Sequence, residues 1–228
     1  MDDGAYELAM FPLSGVLVPG AVIPLHVFEA RYRALMEHLI GASTAPATRG
    51  ELGVVLIERG SEIGGDDTRS TTGTVANIAQ ARRFDDGRWA VVLVGQRRVE
   101  VTRWLADDPW PQAVVVDRPD EPSTLGSTQI AELVGETVAE LRRTLAIASE
   151  LGEAPAAATL EMSDEPVMAS YQVTALGPFG PLDRHRLLAC PGPVERLTVA
   201  KQLLREQREL FELRLGSDPD GPPTEPWM

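Results

Sequence analysis

Lys201 is the only lysine in this chain, against twenty arginines. A phosphate-binding loop needs Gly-x-x-x-x-Gly-Lys-Ser/Thr, because backbone amides cradle the phosphates while the lysine reaches the β and γ oxygens. Lys201 lies in Thr198-Val-Ala-Lys-Gln-Leu203, with no glycine in reach, so nucleotide hydrolysis of that type is excluded. The histidines are His26, His38 and His185, none in a His-Glu-x-x-His or other close ligand spacing, and they read as structural or surface residues. No Gly-x-Ser-x-Gly elbow occurs, and Gly60-Ser-Glu-Ile-Gly-Gly65 is not followed by a helix pattern, so it reads as a loop. Asp66-Asp67, Asp85-Asp86 and Asp107-Asp108 sit beside glycine, proline or threonine, where turn chemistry accounts for them. Arg82-Arg83 and Arg97-Arg98 each present one guanidinium to either face of a strand, to pair with nearby acids or to grip a carboxylate bidentately. Cys190, the single cysteine, excludes an internal disulfide and a cysteine metal cluster, and its apolar setting, Leu187-Leu-Ala-Cys-Pro191, predicts a buried inert thiol. No catalytic residue, cofactor or metal is expected.

The chain has 228 residues, long enough to bury a substantial core, and a net charge of −13 from 34 acidic and 21 basic groups. That field repels phosphate backbones, so no nucleic-acid partner is expected. The N-terminus, Met-Asp-Asp-Gly, lacks a signal peptide's basic flank and apolar core, and no apolar run approaches the roughly 20 residues that cross a bilayer. The expectation is a cytoplasmic protein without membrane contact.

The first half reads as β-rich. Phe11 to Leu13 ends a short strand, and Pro-bearing extended turns follow at Pro19-Gly20 and Pro24-Leu25. Phe28, Tyr32, Leu35, Met36 and Leu39 then recur at helical spacing, with Gly41 as the stop. Leu52–Ile57 is an apolar run fitting a buried strand, and 75–84 and 88–94 flank the hairpin signal Asp85-Asp86-Gly87. Residues 97–104 and 112–117 supply two further strands, with 42–50 and 59–72 as loops. After the proline- and charge-rich 117–123 the period changes. Ile130, Leu133, Val134, Val138, Leu141 and Leu145 form one helical stripe, and 152–158 is a linker. Ser163 is a candidate cap ahead of Pro166, and Pro191-Gly-Pro193 breaks the chain before a last helix carrying Leu197, Leu203, Leu204, Leu210 and Phe211. These elements predict an α+β fold: a β-rich small barrel or sandwich at 1–121, a helical subdomain at 122–215, and a disordered acidic, proline-rich tail at 216–228.

The strand–Pro-Gly–Pro-Leu–Phe-Glu-x-Arg-Tyr–helix pattern of residues 11–40 resembles the start of the Lon protease N-terminal, substrate-recognition domain. Gly64-Gly65, Gly73-Thr-Val-Ala-Asn-Ile78 and Gly95-Gln-Arg-Arg-Val99 follow in that family's order, so the likeness covers most of the chain. The resemblance implies a PUA-like β pseudo-barrel followed by helices, contacting unfolded or tagged polypeptides. In that family cleavage uses a Ser–Lys pair in a domain beyond the length present here, so the resemblance implies a stand-alone, non-catalytic adaptor or regulator in protein quality control, with polypeptide clients or a separate protein partner. Trp104, Trp110, Tyr171 and Phe179, with Arg97 and Arg98, are the candidate peptide contacts. The alternatives are a small-molecule or RNA-binding PUA-like module, which predicts a deep enclosed cavity, and a hydrolase, which predicts a nucleophile–base hydrogen bond.

Overall fold

A computed structural model describes residues 4–41, 50–60, 68–153 and 161–216. Gly64-Gly65, Asp66-Asp67 and all of the expected tail but Gly216 lie outside the described residues. In chain order the elements are β1 (Tyr6–Leu13), β2 (Val22–Val27), α1 (Ala30–Gly41), β3 (Glu51–Arg59), β4 (Thr68–Arg83), β5 (Trp89–Trp104), β6 (Gln112–Asp117), α2 (Ser127–Glu150), α3 (Pro166–Leu176), α4 (Pro181–Ala189) and α5 (Pro193–Gly216). The strands form one sheet in the order β2-β5-β4-β3-β1-β6, and an additional β5–β6 pairing closes the last five into a barrel. Among the described residues only β1 and β3 pair in parallel. The fold is α+β.

Closure depends on β5. Its first half, Trp89–Val94, pairs with β2, its second half, Val99–Trp104, with β6, and β4 runs along the opposite side of both. The strands expected at 88–94 and 97–104 are therefore not divided; one 16-residue strand continues through Gly95. The glycine serves a close approach instead. Gly20 donates its N–H to the Gly95 carbonyl at 2.9 Å, and Gly95 donates to the Ala21 carbonyl at 2.9 Å. A Cβ at position 95 would stand 2.3 Å from the Val18 carbonyl oxygen. The absent side chain is what lets the Val18–Ala21 segment lie flat on β5. The sequence reading also took Pro24-Leu25 as a turn, whereas both belong to β2. That strand pairs with β5 alone, so an edge is available for a residue lacking an N–H.

Two apolar clusters fill the β half. Leu8, Met10, Val55, Val75, Val99, Val101, Ala113 and Val115 form one. In the other, Tyr32, Leu35, Met36 and Leu39 of α1 pack on Phe11, Leu52, Val54, Ile78, Val91 and Leu93, with the Phe11 and Tyr32 rings stacked at 4.2 Å. Phe28, expected on the helix stripe, precedes α1 and is 52% exposed. In the helical half Val138, Leu141 and Leu145 of α2 meet Leu197, Leu203 and Leu204 of α5, with Val173 of α3 and Leu187 of α4. Leu210, expected beside them, is exposed because it falls off the buried stripe. The cap of α3 is Glu165 rather than Ser163: its carboxylate accepts from the N–H groups of Val167 at 3.0 Å and Met168 at 2.6 Å, while Ser163 Oγ accepts from the Glu165 N–H. Lys201 is held by Glu136 at 2.8 Å between α5 and α2. No helix of the described residues is long and apolar enough to cross a membrane.

Gly95→Ala is expected to lower the unfolding free energy by about 1–3 kcal/mol, the usual range for overpacking against fixed backbone. Urea denaturation followed by circular dichroism measures it; an unchanged midpoint would mean that the Val18–Ala21 segment is free to move away.

Candidate functional site

Where the barrel meets the helices, α4 ends with carbonyls that have no partner within the helix and carry the negative end of its dipole. Two arginines take them. Arg98 of β5 is 2% exposed; its Nη1 donates to the Leu188 carbonyl at 3.0 Å and to the Cys190 carbonyl, and its Nη2 to Pro191 at 3.0 Å and Pro119 at 3.2 Å. Arg196 of α5, fully buried, donates Nε to the Leu187 carbonyl at 3.1 Å and Nη1 to Ser170 Oγ at 2.7 Å. Both reach one carboxylate, Asp120, at 3.1 Å and 2.5 Å, and the Tyr171 hydroxyl of α3 donates to its second oxygen at 2.9 Å. The Arg196 guanidinium also lies 3.9 Å over the Tyr171 ring. Burial pulls the Arg98 pKa down and pushes the Tyr171 phenol above its usual range.

Two half-open clefts flank this cluster. The first, of about 470 Å³, runs between the Val16–Ile23 segment and the α3 residues Tyr171–Leu176, with Arg184 of α4 on its wall. The second, of about 410 Å³, lies between Gln96–Arg98 of β5, the Asp117–Asp120 connection and Val167-Met168 of α3. They share Pro19 and Tyr171. Between them Gly20, at φ +79°, faces Met168, whose sulfur would stand 3.0 Å from a Cβ there. Large apolar side chains stay exposed on this face: Val22 at 60% and Leu176 at 38% on the first cleft, and Met168 at 39% on the second. Leu182, two residues from Arg184, is 68% exposed.

The six candidate contacts separate. Tyr171, with Arg97 and Arg98, lines the second cleft, and Tyr171 also the first. Arg97 forks Glu51 at 2.7 and 2.8 Å and reaches Asp117 at 3.0 Å, while Arg98 points into the buried cluster, as opposite faces of one strand require. Hydrogen bonding to Glu51, against the opposing effect of burial, raises the Arg97 pKa. Trp104, Trp110 and Phe179 line neither cleft. Trp104 packs on the Val99–Val101 cluster under Arg69 at 5.0 Å, Trp110 on the α1 cluster beside His38 at 5.2 Å, and Phe179 is buried in the helical core. Trp104 and Trp110 are near the barrel–helix junction in sequence, but β5 carries Trp104 past it. Sequence reasoning missed Val22, Met168, Arg184, Asp120 and Arg196. For Arg196 a signal existed, because Pro193, Arg196, Leu197, Ala200, Leu203 and Leu204 form one buried stripe with a lone charge on it.

Asp120→Asn leaves two buried guanidinium groups without their carboxylate, and a loss of about 3–5 kcal/mol is expected. Adding Arg196→Met should recover part of it, measured as a coupling energy by urea denaturation; strict additivity would mean that the ions do not act together. A second expectation concerns Tyr6, whose phenol is pushed up to about 12 by burial and by its hydrogen bond to Asp117. The folded value lies above the unfolded value of about 10, so this contribution is intact below about pH 10 and lost as pH climbs toward 12. Tyr6→Phe should flatten the alkaline end of the stability profile.

Residues 7–206 match the family described as the ATP-dependent protease La (LON) substrate-binding domain. Lon protease 2 of Herpetosiphon aurantiacus is 27% identical over 211 residues, covering 91% of this chain and 24% of that protein. Lon protease of Roseiflexus castenholzii is 25% identical over 207 residues, covering 90% and 25%. The chain thus spans about a quarter of the length of these relatives. The crystal structure of a Lon N-terminal domain protein from Xanthomonas campestris superposes with a TM-score of 0.59 at 26% identity, over 88% of this chain and 98% of that one. The N-terminal domain of Mycobacterium avium complex Lon protease gives 0.60 at 17% identity, over 90% and 98%, and shares the fold. With the matched span running from β1 into α5 and taking in the whole junction between barrel and helices, the chain belongs to the Lon substrate-binding domain family.

Proposed function

We propose that this chain is a non-catalytic polypeptide-recognition module, acting in the cytoplasm as an adaptor or regulator in protein quality control, and that it takes apolar segments of its clients into the clefts beside α3. The observation that carries this reading is the exposure of Val22, Met168 and Leu176 around those clefts. Apolar side chains grouped at a concave surface, rather than scattered singly, mark an interaction site. Family membership supports a substrate-binding role, and half-open clefts suit an extended chain better than the enclosed cavity of a small-molecule module. The net charge of −13 weighs against an RNA partner.

Fluorescence anisotropy with a labelled unfolded polypeptide tests the reading. Val22→Asp combined with Met168→Asp is expected to weaken binding at least tenfold while the thermal midpoint stays within a few degrees, since both side chains are exposed. Undiminished affinity in a folded double variant would move the site elsewhere. Casein cleavage or ATP turnover by purified protein, surviving Lys201→Ala, would overturn the non-catalytic part.

A further inference from the structure

The first cleft holds one charge without a counterion. Arg184 donates Nη2 to the Gly177 carbonyl at 3.1 Å, its Nε is buried and without a hydrogen-bond partner, and no carboxylate of the described residues lies within ion-pair distance of it. Four other arginines of the junction are answered: Arg97 by Glu51 and Asp117, Arg118 by Glu100, Arg98 and Arg196 by Asp120. Asp183 is adjacent in sequence but makes no ion pair with it. Burial alone depresses the Arg184 pKa, the mark of a guanidinium that has lost water and gained no anion.

The rest of the wall narrows the ligand. Val16, Val18, Val22 and Ile23 on one side and Ala175 and Leu176 on the other are apolar. The polar side chains among them are few: Thr174 Oγ1 donates to the Ser170 carbonyl at 2.9 Å, Gln172 Oε1 accepts from the Ser163 N–H at 2.8 Å and leaves only its amide N–H groups to donate, and the Tyr171 hydroxyl is bound to Asp120. A segment threading through would bring backbone amides on both sides of any acidic residue against a wall that is mostly apolar, at a cost for each group left unpaired. A chain end brings one carboxylate and its own last side chain, and the remainder stays outside.

The geometry points to Arg184 as an anchor for the C-terminal carboxylate of polypeptide clients ending in apolar residues, with the last side chain seated between Val22 and Leu176. This rests on the recognition role proposed above and names its substrate class. A charge-assisted contact to a partly desolvated guanidinium is among the stronger polar interactions available to such a site.

The test uses three labelled peptides of one apolar sequence: a free C-terminal acid, its C-terminal amide, and an amide with one internal aspartate. Anisotropy titration of the full chain should show the free acid binding about tenfold or more tightly than either amide, with the advantage shrinking in high salt. Arg184→Gln should remove that advantage, and an acid preference that persists in the folded variant would overturn the anchor. Equal affinity of acid and amide for the unaltered protein, which needs no variant to fold, would overturn the anchor while leaving the recognition role intact. Equal binding of the internal-aspartate peptide and the free acid would overturn the choice of a chain end, and tighter binding of a medium-chain fatty acid than of the free-acid peptide would overturn the choice of polypeptide. Failure of all three peptides to bind would instead sink the recognition role itself.

Discussion

The joint between barrel and helices depends on one interaction: two buried guanidinium groups, sharing Asp120, that hold the C-terminal carbonyls of α4. The Leu188 and Cys190 carbonyls have the Arg98 guanidinium as their donor, and burying them bare would cost a full desolvation penalty each; Arg196 adds a second donor to the Leu187 carbonyl, which also accepts from the Cys190 N–H at 3.3 Å. Arg98 comes from the barrel and Arg196 from α5, so satisfying those carbonyls also docks two halves of the molecule. The apolar contacts beside them, among Val18, Tyr171 and Leu188, exclude water but have no direction. Direction comes from the ions, whose hydrogen bonds tolerate little rotation.

The clefts inherit their shape from this joint. Tyr171 belongs to the ion cluster through its hydroxyl and to both cleft walls through its ring, so α3 cannot shift without breaking the bond to Asp120. The opposite wall is held as firmly. The Val18–Ala21 segment is bonded to Gly95 on both its N–H and its carbonyl, on a strand that itself closes the barrel. Rigid walls carrying exposed Val22, Met168 and Leu176 suit adaptable apolar cargo, because little ordering entropy is lost on the protein's side.

Three titratable groups of the described residues sit in structural settings. Lys201 is tied to Glu136 on a helix surface, and His38 lies against Trp110. Cys190 is buried, its thiol pushed up by desolvation, and its carbonyl serves the arginine cluster. Arg184 stands apart, since it is the one guanidinium in the first cleft wall and has only a carbonyl for company.

The sequence by itself determined the local structure and the family pattern. The apolar period of α1, α2 and α5, the run at β3, the turn at Asp85-Asp86-Gly87 and the strand at 112–117 all follow from side-chain spacing and turn chemistry, which act over a few residues. Arg97 and Arg98 were legible as a pair facing opposite ways because strand geometry is local. Only the tertiary structure decided that β5 continues through Gly95, since the reason is the Val18 carbonyl, 77 positions away in the chain. It likewise decided that Pro24 sits in a strand, which requires knowing that β2 is an edge, and that Trp104, Trp110 and Phe179 line neither cleft. Asp120, Tyr171 and Arg196 lie 51 and 25 residues apart, and no local rule joins them. Helix and strand are set by neighbours in sequence, whereas a cleft and its unanswered charge exist only once distant segments exclude water together.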